Sequence, residues 1–294
     1  MKVQTHLKSI AIFAVILLFV VNHARADESW ITIDYPGAVW TYAEGISGNS
    51  IVGSYGVAGT NNHGFLYDGT NWTTLDYPGA TQTNAHAIDG SNIVGDYIDS
   101  SDKFHGFLYD GTNWTTLDYP GEINYQGLRG ISGNNIVGIY NGPGEHGFIY
   151  NGTNYTSLNY PGAGFTDAFG IDGGNIVGEY YSGQVHGFLY DGTNWTTLDY
   201  PGAKYTQAYG ISGNNIVGIY ISGSLKAFIY DGANWTTLDY LGASRIEARG
   251  ISGNLIVGMS QDVSGTHGFV YTIPEPFTIL LLGLGALIIR KFRA

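Results

Sequence analysis

Six side chains of different chemistry occupy one recurring position of the chain. Each lies just before a Gly-Ile or Ala-Ile pair, and the set is Glu44, His86, Arg129, Phe169, Tyr209 and Arg249. If a repeating fold brings this position to one place, an acid, an imidazole, two guanidinium groups and two aromatic rings meet in a central funnel. A concave site that mixes aromatic and polar groups is typical of ligand binding. The sequence predicts such a site, with neutral drift of a tolerant position as the alternative.

Histidine recurs at a second position. Five copies of the repeat carry it at the start of the same strand, as His63, His105, His146, His186 and His267. Neutral imidazole is a common metal ligand, so a ring of five suggests a metal site. Equivalent positions in different repeats are held apart, however, and metal coordination demands short distances. We therefore interpret these histidines as structural and predict no metal site.

Aromatic residues open the last strand of each copy. They are Trp72, Trp114, Tyr155, Trp195 and Trp235. Exposed aromatic rows stack on sugar rings, because such side chains pair an apolar body with a polar handle. Burial of these side chains contributes heavily to a core, so we favour packing between repeats over sugar stacking.

An acidic cluster, Asp96, Asp99 and Asp102, surrounds one predicted loop. Oxygen-rich loops can hold calcium, but no complete ligand spacing recurs here, so a solvated acidic loop is the favoured interpretation. The sequence also lacks a Gly-x-Ser-x-Gly elbow, a His-Glu-x-x-His pair and a phosphate-binding loop. We accordingly predict no catalytic residue and no cofactor.

A repeat must position all these candidates. The tract Thr-Thr-Leu-Asp-Tyr-Pro-Gly-Ala at 73–80 has five further copies at steps of 40 to 42 residues, which indicates an array of one supersecondary unit. In one copy, residues 205–211 and 215–220 have the pattern of a hairpin, and residues 227–230 and 235–240 that of a second. Each copy thus predicts a four-stranded antiparallel sheet. A glycine inside every second strand, such as Gly53, predicts a bulge or a close approach of another backbone.

Four strands and about 40 residues per copy fit a propeller blade. The repeat region opens with a lone strand at residues 30–35 and closes with only three strands of a last copy. The first strand can complete the last sheet and remove an exposed edge. We predict an all-β fold, a six-bladed β-propeller whose ring is closed by the N-terminal strand, with an open β-solenoid as the alternative.

The repeat resembles the HAF family of extracellular repeats. That family has a Gly-Ile-(Asn/Ser)-x-x-Gly-x-(Ile/Val)-Val-Gly segment followed by a His-Ala-Phe strand. The matching segments of one copy are Gly130-Ile131-Ser132, Ile136-Val137-Gly138 and His146-Gly147-Phe148. Most copies carry Gly where the family has Ala, and the fifth has Lys226-Ala227-Phe228 without the histidine. The resemblance spans nearly all of residues 31–273 and implies an extracellular protein without known catalytic residues.

The N-terminal segment has the pattern of a secretory signal peptide. A basic stretch at residues 2–8 precedes an apolar run at 10–21 and the small-residue motif Ala24-Arg25-Ala26. We predict a signal peptide over residues 1–26 and a repeat domain over 27–273. A membrane anchor is the alternative, although the apolar run is short for a spanning helix.

The C-terminal segment resembles the PEP-CTERM sorting signal of Gram-negative bacteria. It contains Pro274, Glu275 and Pro276, an apolar run at 279–289, and the basic residues Arg290, Lys291 and Arg293. Phe277 departs from the small residue usual after the triplet. The resemblance implies that residues 274–294 form a sorting signal with a short transmembrane helix. It also implies that an exosortase recognises the tail and that the protein reaches the cell surface or extracellular matrix.

Between these ends the chain is strongly acidic. Residues 27–273 contain six basic and 23 acidic side chains, a net charge near −17. Such a charge disfavours nucleic acid and anionic lipid as partners. A solvated acidic surface that keeps an exported protein soluble is the simplest interpretation. The chain has no Cys and therefore no disulfide framework.

Two functional hypotheses follow. The first is an exported, surface-sorted, non-enzymatic binding or matrix protein associated with carbohydrate or exopolysaccharide. The second is an extracellular polysaccharide hydrolase or lyase that uses Glu44, His86 and Arg129 in the funnel. The fold by itself does not decide between them, because propellers host both classes.

Overall fold

The computed structural model describes residues 29–121, 125–142 and 144–274, and this part of the chain is all β. Residues Trp30–Tyr271 form one compact unit. A second unit comprises Met1–Ser29 and Thr272–Ala294, and nearly all of it lies outside the described residues. The predicted signal peptide, the predicted apolar C-terminal helix and all of the sorting signal except Pro274 lie outside the described residues. Among the described residues no helix is long and apolar enough to cross a membrane.

The strands form sets of four, as the repeat predicts, and single parallel bridges, Trp40 with Thr266 and Val185 with Tyr205, join two pairs of adjoining sets into eight-stranded sheets. The first set is β2 (Trp40–Ser47), β3 (Ser50–Gly56), β4 (Asn62–Tyr67) and β5 (Trp72–Leu75). The second is β6 (Gln82–Asp89), β7 (Asn92–Ile98), β8 (Phe104–Tyr109) and β9 (Trp114–Thr116). The third is β10 (Tyr125–Ser132), β11 (Asn135–Gly142), β12 (Gly144–Tyr150) and β13 (Tyr155–Leu158).

The same pattern continues along the chain. The fourth set is β14 (Thr166–Asp172), β15 (Asn175–Tyr181), β16 (Val185–Tyr190) and β17 (Trp195–Leu198). The fifth is β18 (Tyr205–Ser212), β19 (Asn215–Ser222), β20 (Ser224–Tyr230) and β21 (Trp235–Leu238). The sixth is β22 (Arg245–Ser252), β23 (Leu255–Gln261) and β24 (Thr266–Thr272), and β1 (Ser29–Ile33) pairs with β24 as its fourth strand.

The N-terminal strand contributes to a core shared by the sixth and first sets. Ile33 of β1 is 7% exposed and packs with Val257 of β23 and Phe65 of β4. Leu75 of β5 has the equivalent place in the core shared by the first and second sets. A strand from the beginning of the chain thus supplies the buried side chain that four other sets obtain from their own fourth strands, as Leu75, Leu158, Leu198 and Leu238.

The first strand of every set faces its counterparts in the neighbouring sets. These inner strands are β2, β6, β10, β14, β18 and β22, and each contacts the next, with β22 contacting β2. Backbones come close at these contacts. A Cβ on Gly250 would lie 2.9 Å from the carbonyl oxygen of Glu44 and 3.1 Å from Cα of Gly45. Larger residues at such positions would push the sets apart, which explains the recurring glycine of the inner strand.

A β-bulge interrupts each inner strand. In β2 the register shifts between Ala43 and Gly45, which leaves Glu44 without a partner on β3. Gly53 of β3 lies beside the bulge, where a Cβ would be 1.9 Å from the carbonyl oxygen of Tyr42. The close approach predicted for Gly53 is therefore present, and a bulge of this kind re-aims the side chain of its extra residue.

The cores lie between adjoining sets. Phe65 is fully buried, and Trp72 packs against it edge-on with ring centroids 5.0 Å apart. Tyr35 and Tyr67 surround the same indole, at 5.4 and 4.5 Å between centroids. The aromatic residues that open the fourth strands thus form ring clusters at the outer edge of each core, in agreement with the packing interpretation.

Candidate functional site

The bulge residues of the six inner strands line one cavity of about 210 Å³. They are Glu44, His86, Arg129, Phe169, Tyr209 and Arg249, joined by Ile139 of β11. All six are partly buried. The structure therefore brings together every residue that the sequence singled out at this position, and ligand binding by them stays a prediction.

One side of the cavity contains fixed charges. Asp96 of β7 is 3% exposed, and its Oδ2 lies 2.7 Å from Nε2 of His86 and 3.2 Å from NH1 of Arg129. Asn84 donates a hydrogen bond of 2.9 Å to the other oxygen of this carboxylate. The guanidinium of Arg129 also contacts the His86 ring. Asp96 thus holds two cavity side chains in place.

Burial by itself would raise the pKa of Asp96, because a charged carboxylate loses its hydration. The charges of His86 and Arg129 and the hydrogen bonds from His86 and Asn84 outweigh that effect and lower the pKa to about 2. Asp96 is therefore a permanent anion near neutral pH. It also lies apart from the acidic loop to which the sequence analysis assigned it. Asp99 instead caps that loop, since its Oδ1 accepts hydrogen bonds from the backbone N–H groups of Ser101 and Lys103.

The opposite side of the cavity combines aromatic rings with a guanidinium. Phe169 and Tyr209 lie 5.1 Å apart between ring centroids, and Cζ of Arg249 lies 4.4 Å from the centroid of Tyr209. Glu247, 1% exposed, accepts a hydrogen bond of 2.9 Å from Nε of Arg249. Glu44 lies 3.7 Å from NH1 of the same guanidinium. These acidic neighbours raise the pKa of Arg249 against the opposing effect of burial, so it stays charged.

A buried acidic pair lies in the fourth set. Asp167 of β14 is directly opposite Glu179 of β15, and each is 6% exposed. Neither Oδ1 of Asp167 nor Oε2 of Glu179 has a hydrogen-bond partner among the described residues. Burial and the nearby charge of Glu145 raise the pKa of Asp167 to about 8, with Glu179 adding to the effect and Arg129 opposing it. Burial raises the pKa of Glu179 to about 7, while a hydrogen bond from Gln207 opposes the shift and Glu145 adds to it.

The sequence analysis missed this supporting layer. Asp167, Gln207 and Glu247 lie two residues before the cavity residues of their strands, and side chains two apart on a strand share a face. The corresponding residues differ in every set, as the cavity residues do. This second position that varies from repeat to repeat is the sequence signal that could have revealed the supporting layer.

The recurring histidines lie away from the cavity and pair with the fourth strand. Nδ1 of His63 lies 3.0 Å from Asp76, and Nδ1 of His105 lies 2.8 Å from Asp118. His267 has the same arrangement with Asp34, at 2.8 Å. Within the described ranges no group of three or more His, Asp or Glu side chains is placed to hold a metal ion.

Comparisons with known proteins show the fold. No protein-family model and no curated protein matches the sequence significantly. Among solved structures, the chain is similar to the β-propeller domain of the Trilobed protease from Pyrococcus furiosus, which has an open velcro topology. The TM-score is 0.53 at 12% identity, over 80% of this chain and 95% of that one.

Two further structures are comparably similar. SapL1 lectin in complex with α-methyl fucoside gives a TM-score of 0.54 at 17% identity, over 82% of this chain and 98% of the lectin. TolB from Acinetobacter baumannii gives 0.52 at 13% identity, over 77% of this chain and 65% of TolB. The chain is therefore a β-propeller built of four-stranded repeats.

Proposed function

We propose that this protein is an exported, non-enzymatic carbohydrate-binding β-propeller whose central cavity holds a sugar ring. The single observation that supports it best is that two aromatic rings, Phe169 and Tyr209, line the same cavity as the charged group formed by His86, Arg129 and Asp96. The apolar face of a sugar can stack on Phe169 and Tyr209, since aromatic side chains bury a large apolar surface. Its hydroxyl groups can bond to His86, Arg129 and Glu44 across the cavity.

The cavity volume supports a small ligand. At about 210 Å³ it is smaller than the roughly 300–1,000 Å³ typical of pockets for drug-sized molecules. One sugar unit suits this space better than an oligosaccharide. The similarity to a lectin structure supports the proposal only as a precedent for the fold.

A glycan array run beside a turnover assay tests this function. We expect saturable sugar binding without product formation, and loss of binding in Phe169→Ala. Phe165→Ala is the matched control, because Phe165 stacks on Tyr181 and does not line the cavity. Equal binding by wild type and Phe169→Ala would refute the cavity as the site. Product formation that is lost in Glu44→Gln would favour the hydrolase or lyase hypothesis instead.

We also propose that the six sets form a closed six-bladed ring. The pairing of β1 with β24 and the contact of β22 with β2 support closure. Deletion of residues 27–35 should lower the melting temperature and cause aggregation, because the exposed edge of β24 can recruit other strands. Ile33→Ala should cost about 3 kcal/mol, whereas Ile31→Ala, on the exposed face of β1, should cost little. A deletion variant that stays monomeric with an unchanged melting temperature would rule out ring closure by β1.

Export and sorting complete the proposal. The resemblance of residues 274–294 to a PEP-CTERM signal and of the repeats to the HAF family supports delivery by an exosortase to the surface or exopolysaccharide matrix. Replacing Pro274, Glu275 and Pro276 by alanine should leave export intact and retain the protein in the inner membrane, because the apolar run and its basic end remain. The location of the protein is measured by fractionating native-host cells that produce it with a tag inserted before Ile273. Identical fractions for wild type and variant would refute the sorting role.

A further inference from the structure

Gaps recur at the outer end of the junctions between adjoining sets. Each is bordered by the start of a third strand, the end of a fourth strand and the start of the next inner strand. The gap between β24 and β2, here the β24/β2 gap, has a volume of about 310 Å³. The equivalent gap between β4 and β6, the β4/β6 gap, has only about 60 Å³.

Two asparagines cross the smaller gap. In the β4/β6 gap, Nδ2 of Asn61 donates to the carbonyl oxygen of Thr81 at 3.1 Å, and Nδ2 of Asn62 donates to Oδ1 of Asn84 at 3.4 Å. These side chains cross the junction and fill it. Gly265 and Thr266 occupy the corresponding places in the β24/β2 gap, as counted from His63 and His267.

The open gap has an aromatic wall. Trp40 opens β2, and its indole contacts Gly56, where a Cβ would be 2.3 Å from Nε1, and the ring of Tyr42, with centroids 4.7 Å apart. Gly56 is thus required for the ring to take this place. The β4/β6 gap has Gln82 at the position of Trp40. Val39, 57% exposed, adds an apolar residue at the mouth of the open gap.

Polar groups face that wall. Nδ1 of His267 lies 2.8 Å from Oδ2 of Asp34, which fixes the ring, and Nε2 lies 2.9 Å from Oγ of Ser264. Asp262 lies next to this pair, with Oδ1 3.6 Å from Nε2 of His267. The described residues that line the gap include neither Lys nor Arg. The site therefore offers hydroxyl, imidazole and carboxylate groups, and its described lining has no Lys or Arg side chain for an anionic ligand.

We propose that the β24/β2 gap is a second binding site, specific for a neutral pyranose unit. The sugar stacks its apolar face on Trp40, and its hydroxyl groups bond to Ser264 and Asp34, which His267 holds in place. Acidic sugars are repelled by Asp34 and Asp262, which no Lys or Arg in the lining compensates. The ligand class rests on the proposed carbohydrate-binding function, while the site is separate from the central cavity. Two sites on one protein raise the avidity for a polymer with repeated sugar units.

Nuclear magnetic resonance of the ¹⁵N-labelled repeat domain tests the second site. The probes are the methyl α-glycosides of glucose, galactose and fucose, with glucuronic acid as the acidic counterpart. We expect a neutral glycoside to shift the indole N–H signal of Trp40 in a saturable manner and glucuronic acid to leave it unchanged. Trp40→Ala should weaken binding at this site about tenfold or more, and Trp40→Phe should retain most of it. Gln82→Ala, at the filled β4/β6 gap, is the matched control and should change nothing.

The outcomes separate the two sites. Unchanged affinity in Trp40→Ala, or an unperturbed Trp40 signal while Phe169→Ala abolishes binding, overturns the second site and leaves the central one. Saturable shifts at Trp40 that persist in Phe169→Ala support the second site even if the central cavity binds no sugar. A preference for glucuronic acid over the neutral glycosides overturns the proposed specificity. Melting curves of the Trp40 variants establish that they are folded.

Discussion

Asp96 of the second set and Glu179 of the fourth set occupy the same position of the repeat, opposite the bulge, yet their surroundings differ. Asp96 faces His86 and Arg129, and its pKa is lowered to about 2. Glu179 faces Asp167, and burial raises its pKa to about 7. The residues that lie opposite therefore decide the charge of a buried carboxylate, and the shared backbone does not.

This difference divides the cavity. Beside Asp96 the wall carries permanent charges that can orient a polar ligand. In the fourth set, near pH 7, Asp167 holds a proton and Phe169 supplies an aromatic surface. A site that offers aromatic rings at Phe169 and Tyr209 and fixed charges beside Asp96 distinguishes the apolar face of a sugar ring from its hydroxyl groups, which supports the proposed function.

The largest expected effect is a loss of stability with rising pH. Above about pH 5 the unfolded chain has released most of the protons of Asp167 and Glu179. In the folded state Glu179 retains its proton up to about pH 7 and Asp167 up to about pH 8. The folded state therefore binds more protons in this window, so the free energy of unfolding falls as pH rises, by about 1.4 kcal/mol per unit for each excess proton. Between pH 5 and pH 8 the fall should reach about 6 kcal/mol, because both carboxylates contribute over most of this range.

Urea unfolding measured from pH 5 to pH 9 checks this prediction. The double variant Asp167→Asn/Glu179→Gln keeps the shape of the pair and removes its titration, so its stability should change much less over the same range. A wild type whose stability rises from pH 5 to pH 8 would show that the pair is not buried and unpaired as described.

Truncation of Asp96 should have the next largest effect. Asp96→Ala removes the buried carboxylate that His86 and Arg129 face and should cost about 3 kcal/mol at pH 7. Glu179→Ala is the matched control, since it removes a carboxylate of the same position that has no facing cation, and it should cost clearly less. Equal losses in the two variants, measured by chemical denaturation, would mean that the ion pairs of Asp96 do not matter to stability.

The smallest expected effect comes from a variant that transfers the cavity histidine of the second set to the fourth set. Phe169→His places an imidazole opposite Glu179, as His86 lies opposite Asp96 at 2.7 Å. The pKa of Glu179 should fall by about one unit, which reduces the pH-dependent loss of stability by about 1.4 kcal/mol. Tyr209→His is the control, because Ile219 takes the place of the carboxylate in the fifth set. If the stability of Phe169→His depends on pH as that of the wild type does, a histidine at this position does not by itself form an ion pair with Glu179.

Much of the fold follows from the sequence alone. The 40-residue period predicts the repeated sheets because strands this short cannot bury both faces without neighbours. The lone first strand predicts pairing with the last set, and Ile33 indeed fills the place that Leu75 has elsewhere. The glycine inside the second strand of each repeat, such as Gly53, likewise indicates a close approach of another backbone, because only Gly has no Cβ to obstruct it.

The cavity positions could be predicted from the same period, since equivalent residues of a repeat array lie at equivalent places. The charge states of the buried side chains beside the cavity could not be predicted in this way. The sequence analysis placed Asp96 with the loop residues Asp99 and Asp102, because they are neighbours along the chain. In the structure its carboxylate faces Arg129, 33 residues away on another set.

The openness of the β24/β2 gap likewise depends on which side chains cross a junction, and the repeat pattern does not reveal this. The sequence by itself thus determined the unit, its number of strands and the positions that face inward, because these depend on local periodicity and steric limits. Only the tertiary structure decided which of these positions are charged, paired or open, because electrostatic and packing energies depend on distances between residues remote in the chain.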